Sequence, residues 1–427
     1  MHKMGGNDKL AQVRGRNPWR WIPTLYFAEG LPYVVVMTLS VIMYKRLQIS
    51  NTDIAFYTSL LYLPWVVKPL WSPVVDIFAT GRRWITSMQF IIGILFFVVA
   101  FLLPAPFFFK ATLGIFWIAA FASATHDIAA DGFYIQALDN EKQAFFVGIR
   151  STFYRLAMII VQGVAVMVAG WLELRTGNVV GAWRYVMLGL SVMLICMAVY
   201  HFIVLPSPVT DKKRKIISLR SVLREFANTF ITFFQKKGAF AGILFLMTFR
   251  LSEAQLLKIA APFMLDSAQS GGLDLSTGVV GFTYGTVGVV ALVAGGILGG
   301  VAIARRGLRF WLWPMVIAVN LPNLLYVWLA YVQPETMLPV NMAVIIEQFG
   351  YGFGFTAYMV YMIRFSEGKY SASHYSLCTA FMAIGMMIPG MFAGWIADKI
   401  GYIGFFWWVF FSALPVFAIL PFVKIKD

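Results

Sequence analysis

Residues 275–304 read LSTGVVGFTYGTVGVVALVAGGILGGVAIA, thirty residues without an Asp, Glu, Lys or Arg. A helix needs roughly 20 apolar residues to cross a hydrocarbon core, so this stretch alone is long enough to do so. Working outward, the runs 85–109, 185–210, 310–334 and 370–397 also lack all four charged types. Across 427 residues, 60% are hydrophobic and 12% charged; a soluble domain carries about 25% charged residues. The pattern predicts a polytopic α-helical membrane protein, because a β-barrel would need short alternating strands that are absent. Residues 1–20 are polar and basic, and the apolar segment after them is too long for a signal-peptide core, so no cleavable leader is expected. Cys196 and Cys378 fall inside predicted spans and read as small packing residues rather than a disulfide or metal pair.

Twelve spans are expected at about 19–44, 52–78, 84–106, 111–138, 144–171, 182–205, 238–265, 275–304, 309–332, 338–364, 371–397 and 401–423. The formal charge of +15 invites a nucleic-acid reading, but the positions of the 34 Lys and Arg residues decide otherwise. With a cytoplasmic N-terminus, 23 of them flank the inside ends of spans and 6 the outside ends. That asymmetry is the positive-inside bias, which predicts both termini in the cytoplasm and no nucleic-acid partner.

The polar stretch 206–237 divides the spans six and six. Within it Leu219, Val222, Leu223, Phe226 and Phe230 share one helical face, with Arg220 and Arg224 off it. Such a basic amphipathic helix suits the cytoplasmic leaflet or a solvated linker. The expected organisation is therefore an N-terminal six-helix half (1–205), a linker (206–237) and a C-terminal six-helix half (238–427). An offset of 224 relates Ala169-Gly170-Trp171-Leu172 to Ala393-Gly394-Trp395-Ile396, Glu29 to Glu253, and Arg82 to Arg306. Two parallel repeats about an axis along the membrane normal are the architecture of the major facilitator superfamily. Asp76 followed by Gly81-Arg82-Arg83 resembles that superfamily's loop between its second and third helices, and is expected to serve in gating.

A charge near the bilayer centre costs about 2.5–3.5 kcal/mol on insertion scales, so the ions inside spans are the functional candidates. The acids are Glu29, Asp127, Asp131, Glu253 and Glu347, on predicted spans 1, 4, 4, 7 and 10. The bases are Lys68, Arg150, Arg155, Arg250 and Lys258, and five against five suggests a paired polar interior. Asp127 and Asp131 are four apart and share a helix face; two carboxylates that close resist joint ionisation, which suits one of them to carry a proton. The alternative is that each neutralises Arg150 or Arg155 on the next helix; His126 reads as a core histidine. Gly30-Leu31-Pro32 should break the first helix beside Glu29. Arg250 and Glu253, three apart, can pair on one helix, or Arg250 can engage a solute carboxylate. Tyr26, Tyr33, Trp65, Trp71, Phe133, Tyr134, Tyr351 and Tyr358 flank these charges, and aromatic faces beside charges suit a sugar or amphipathic solute. The sequence holds no paired metal-ligand motif, phosphate loop or nucleophile elbow and calls for no cofactor. It reads as a transporter driven by a gradient, not an enzyme.

The stretches Phe27-Ala28-Glu29-Gly30-Leu31-Pro32, Lys68-Pro69-Leu70-Trp71-Ser72-Pro73 and Ser123-Ala124-Thr125-His126-Asp127-Ile128-Ala129-Ala130-Asp131-Gly132 resemble the AmpG muropeptide permeases. Tyr154-Arg155, Glu347 with Gly350 and Gly354, and Ser373-His374-Tyr375-Ser376 add to the likeness, which covers most spans. The resemblance implies a monomeric proton symporter in a bacterial cytoplasmic membrane, importing anhydromuropeptides for peptidoglycan recycling. Some members carry two further spans, and Glu29 stands where a small residue is expected. On this reading Asp127 and Asp131 lead the proton-coupling candidates, followed by Glu29, Glu253 and Glu347. Lys68, Arg150, Arg155, Arg250, Lys258, Tyr26, Tyr33, Trp65, Tyr134 and Tyr351 bind solute or pair charges. Rival readings are a siderophore or CoA-like anion as solute, or a membrane sensor with a transporter fold.

Overall fold

The computed structural model describes residues 17–78, 80–138, 140–206, 219–368 and 371–425, and within its helices some side chains, Asp76 among them, lie outside the description. Without water to satisfy exposed amides, a lipid-spanning chain folds its backbone polar groups into its own helices. The described residues accordingly contain helices and turns but no strand. In chain order these are α1 (Ile22–Val34), α2 (Ser40–Arg46), α3 (Asn51–Leu60), α4 (Leu63–Phe78), α5 (Gly81–Leu102), α6 (Phe108–Ala137), α7 (Asn140–Met158), α8 (Val166–Thr176) and α9 (Val179–Val204). There follow α10 (Leu219–Phe234), α11 (Ala239–Thr248), α12 (Leu251–Leu265), α13 (Thr277–Val280), α14 (Gly288–Asn320), α15 (Asn323–Val332), α16 (Met337–Ser366), α17 (Ser371–Phe411) and α18 (Leu414–Ile419).

Eight continuous helical stretches among the described residues are long and apolar enough to cross a membrane. Two of them, 277–332 and 373–422, run 56 and 50 residues, far beyond one crossing. Each turns back at a glycine in the left-handed region, Gly307 (φ 74°) and Gly401 (φ 70°), which a side chain with a Cβ would strain. Outward faces carry Tyr185, Val192, Val199 and Phe202 on α9, whereas Trp183, Met187 and Leu194 of the same helix are buried. The chain is an all-α polytopic membrane protein.

The first helix corrects an expectation. Pro32 does not break it; α1 runs through Pro32 into a π-helical turn, Val35–Leu39, and on into α2. The Val35 N–H reaches the carbonyls of both Leu31 and Pro32, where the helix passes into the wider turn. The break falls instead in the predicted seventh span, where α11 ends at Thr248 and α12 begins at Leu251, leaving Arg250 at φ −106° and ψ 18°.

The described stretches before residue 207 and after residue 218 meet along two seams where backbones touch. On one, a Cβ at Gly170 would stand 2.3 Å from the Gly278 nitrogen, and one at Gly285 2.0 Å from the Gln162 carbonyl. Two π-helical turns, Ile159–Ala165 and Gly281–Val287, face each other there. On the other, between α3 and α17, a Cβ at Gly394 would stand 2.0 Å from the Asn51 carbonyl. Gly170 and Gly394 are the glycines of the repeated Ala-Gly-Trp motif, so the offset marks one close approach on each seam. Small residues are what let membrane helices come this near.

The C-terminal end of α10 is fixed to the later stretch. Phe233 is fully buried and meets Phe365 and Phe381, and Lys236 Nζ donates to the carbonyls of Phe365 (2.7 Å) and Glu367 (2.8 Å). The amphipathic face proposed through Leu219, Val222, Leu223 and Phe226 lies outside the described side chains, as do residues 207–218.

Helix–helix approach at glycine makes a direct prediction. A Cβ at Gly352 of α16 would stand 2.1 Å from the Leu292 carbonyl, while one at Gly300 meets nothing within 4 Å. Gly352→Ala should cost about 1–3 kcal/mol of stability, as overpacking does, and Gly300→Ala should leave stability unchanged or raised. Thermal melting of the two variants in one detergent checks this.

Candidate functional site

Helix α6 presents Asp127 and Asp131 one turn apart, and different neighbours answer each. Lys68 of α4 is ion-paired with Asp127. Arg150 of α7 lies 3.0 Å from Asp131, which also accepts a long hydrogen bond from the Tyr26 hydroxyl (3.4 Å). The Arg150 guanidinium sits 4.5 Å from the Tyr26 ring centroid and 5.2 Å from that of Tyr134, so two aromatic faces hold it in register. Glu29 of α1 is buried beside Asp127, Asp131 and Arg150, and its Oε2 has no hydrogen-bond partner. Three carboxylates thus share two cations. That arrangement has a place for a proton, because a third buried negative charge has nothing to balance it.

A second group lies in the later stretch. Glu347 of α16 accepts from Gln348 Nε2 (2.9 Å) and at longer range from the Tyr326 hydroxyl (3.5 Å). Glu253 of α12 is buried with Oε1 unpartnered. Arg250, at the break before α12, lies 5.2 Å from the ring centroids of both Tyr351 and Phe355. Lys258 donates to Thr58 Oγ1 (2.9 Å) and stands 5.5 Å from the Tyr62 ring. Tyr33 and Trp65 meet edge to face at 5.2 Å.

The expected five-against-five pairing is therefore two pairs. Among the described residues, Lys68–Asp127 and Arg150–Asp131 are the intramembrane ion pairs, and Arg155, Arg250 and Lys258 have no carboxylate oxygen within 4.0 Å. Arg250 and Glu253 do not pair, because Arg250 lies in the non-helical junction and helical three-residue spacing does not apply to it.

Sequence reasoning missed a buried polar chain beside this cluster. Gln89 Nε2 lies 2.9 Å from His126 Nε2, Gln89 Oε1 lies 2.8 Å from His201 Nδ1, and His201 Nε2 lies 3.0 Å from Thr24 Oγ1. It ties α6, α5, α9 and α1 together and accounts for His126 as a core histidine. Gln89 and His201 sit in uncharged runs and carry no local signal.

It also missed the polar contacts that join the two stretches at one end. Lys45 bridges to Asp266 (2.6 Å) and to Asn51 (2.8 Å), and Tyr402 donates to Asp266 and accepts from Asn51 (3.2 Å). Thr277 at the start of α13 donates to Glu173 (2.7 Å), which also holds Arg46 (2.9 Å) and Trp183 (2.9 Å). Thr52 at the start of α3 donates to Asp398 (2.6 Å). Each latch is an acid close after a seam glycine, Glu173 after Gly170 and Asp398 after Gly394, bonded to a threonine opening a helix of the other stretch. Among the described residues, every hydrogen bond between the stretches lies at this end or at Lys258–Thr58.

A family model described as "Major Facilitator Superfamily" matches residues 24–388. The chain belongs to the major facilitator superfamily. It is 26% identical over 416 residues to the AmpG 4 transporter of Rickettsia conorii, covering 94% of this chain and 95% of that one. It is 25% identical over 412 residues to the anhydromuropeptide permease of Escherichia coli K12, covering 93% and 77%. Its fold is similar to that of a bacterial homolog of the human lysosomal transporter Spinster, solved inward-facing and unoccupied (TM-score 0.69, 15% identity, 98% and 97% coverage). The superfamily and these relatives are transport proteins, and the chain is a transporter rather than an enzyme. At the start of α5, Arg82 donates to the Phe202 carbonyl and lies 5.7 Å from the Phe202 ring, and Arg83 is exposed.

The latches predict that removing their acids loosens that end. With native cysteines replaced, a cysteine at buried Ala55, one turn past Thr52, should react several-fold faster with a maleimide in the Glu173→Gln/Asp398→Asn double variant than in the parent. An unchanged rate would mean that the glycine seams hold the end shut unaided.

Proposed function

We propose that the protein is a proton-coupled importer of anhydromuropeptides for peptidoglycan recycling, working by alternating access in a bacterial cytoplasmic membrane. The observation that carries the reading is the three-carboxylate, two-cation cluster of Glu29, Asp127, Asp131, Lys68 and Arg150, in a chain related to anhydromuropeptide permeases. Asp127 and Asp131 exchange their cation for a proton during the cycle. Glu29 supplies the surplus charge that makes protonation favourable, and Glu253 and Glu347 form a second group of acids behind them.

The architecture that fits is twelve spans in two six-helix halves, 1–205 and 238–427, joined by the linker 206–237. Turns at Gly307 and Gly401 divide the two longest helical stretches as this count requires. With both termini in the cytoplasm, the latched end around Lys45, Glu173 and Asp398 is the outer gate, closed here. Asp76, Arg82 and Arg83 serve the inner gate. The sugar rings pack on the aromatic surface of Tyr26, Tyr33, Trp65, Tyr134 and Tyr351, and the transporter acts as a monomer. A second reading, a siderophore or CoA-like anion, draws on the three cations without a carboxylate partner.

Uptake of labelled disaccharide anhydromuropeptide into proteoliposomes under an inward proton gradient tests the first reading. Wild type should concentrate solute, and Asp127→Asn should lose gradient-driven accumulation, by about 100-fold or more. Accumulation that persists in Asp127→Asn would make the aspartate a structural counter-ion. No uptake by folded wild type would remove this solute.

A further inference from the structure

Of the five cations within spans, three have polar partners: Lys68 has Asp127, Arg150 has Asp131, and Lys258 has the Thr58 hydroxyl. Arg155 and Arg250 have neither a carboxylate within 4.0 Å nor a hydrogen-bond acceptor among the described residues. Arg155 Nη1 and Arg250 Nε are fully enclosed without a partner. An orphaned carboxylate such as Glu29 or Glu253 can shed its charge by taking a proton; a guanidinium stays charged and keeps five donors to satisfy. Neither guanidinium is therefore bonded to an acid, and Glu253 is only an electrostatic neighbour of Arg250.

The two come from opposite sides of the seam. Arg155 reaches from α7 across to α14 and lies over Gly296, where a Cβ would stand 3.2 Å from Nη2 and 3.4 Å from Nη1. A Cβ there would push the guanidinium aside by a few tenths of an ångström. Arg250 is carried by the helix break and lies against the Tyr351 and Phe355 rings. Arg250 lies against the Tyr351 ring of α16, and the Gly296 seat of Arg155 packs beside Gly352, the next residue of that helix, where a Cβ would stand 3.0 Å from the Gly296 nitrogen. Aromatic faces hold a guanidinium in place without consuming its N–H edge.

We infer that Arg155 and Arg250 form one clamp, with a jaw from each stretch of the chain, for a carboxylate of the transported solute. The inference rests on the transport reading above and narrows it to solutes that bear a planar anion. Guanidinium forks match a carboxylate in bidentate fashion, which the ammonium of Lys68 or Lys258 does not. A carboxylate held by both arginines bridges the two stretches. The solute thereby couples occupancy to the approach of the two stretches, and a neutral analogue of equal size does not. Gly296 is a positioning residue, acting through the seat it leaves for Arg155.

The test uses the full chain in detergent and measures apparent affinity from ligand-induced shifts in melting temperature. Two acid and neutral pairs serve as probes: anhydromuropeptide against the same compound with its carboxylates converted to primary amides, and N-acetylmuramic acid against N-acetylglucosamine. Wild type should prefer each acid by about tenfold or more, the scale of a lost charge-assisted contact. Arg155→Lys and Arg250→Lys should each abolish most of that preference while leaving the neutral probe's affinity unchanged. Gly296→Ala should weaken the acid alone. If Arg250→Lys does not fold, Arg155→Lys and Gly296→Ala carry the test.

Equal affinity for acid and neutral probes in wild type, or a preference that survives in both lysine variants, overturns the clamp. So does a wild type that responds to no acid. A preference for N-acetylmuramic acid with no response to the muropeptide keeps the clamp and overturns the proposed solute.

Discussion

Ionised side chains inside a membrane protein must be answered by other protein groups, because lipid offers them nothing. The interior of this transporter is organised by how each charge is answered. Lys68 and Arg150 answer two aspartates on one helix from two different directions. Hydroxyl and ring faces answer Lys258. Glu29 and Glu253 each keep a carboxylate oxygen without a hydrogen-bond partner, and the two remaining arginines have no acid bonded to them. Acids can resolve the deficit by protonation and arginines cannot, so a single constraint separates the groups suited to carry protons from those suited to hold an anion.

Rigid scaffolding makes that separation usable. The His126–Gln89–His201–Thr24 chain ties α6, the helix that bears both aspartates, to three neighbouring helices. The aromatic contacts of Arg150 and Arg250 orient guanidinium groups without neutralising them. The π-helical turns at 35–39, 159–165 and 281–287 lie on the seams or beside the buried charges, where irregular helix geometry lets backbones approach or a proline be accommodated.

Two kinds of contact recur where the stretches meet at one end. A glycine brings each pair of helices to backbone contact, and an acid close behind it takes a hydrogen bond from a threonine that opens the opposing helix. Backbone contact gives a tight fit but little direction, and the acid–threonine bond supplies direction while staying easy to break. The Lys45–Asp266 ion pair joins the stretches at the same end.

The uncharged runs by themselves determined that the chain is helical and crosses a membrane many times, because apolar length in lipid permits little else. The offset of 224 alone singled out Gly170 and Gly394, since a motif repeated in both stretches marks equivalent positions. The set of intramembrane charges was equally plain, because a charge in an apolar run is conspicuous wherever it sits. Which charges pair was not legible. Lys68 and Asp127 are 59 residues apart, and Thr52 and Asp398 are 346 apart; helix packing alone decides such partners. Nor did the sequence place the irregular turns: Gly-Leu-Pro drew the expected break to α1, yet α1 runs on through Pro32. The break fell at Arg250 in a stretch with neither glycine nor proline, where tertiary contacts outweigh local preference. What only the tertiary structure decided is which cations are left without an acid, and that depends on distances between helices that no single helix encodes.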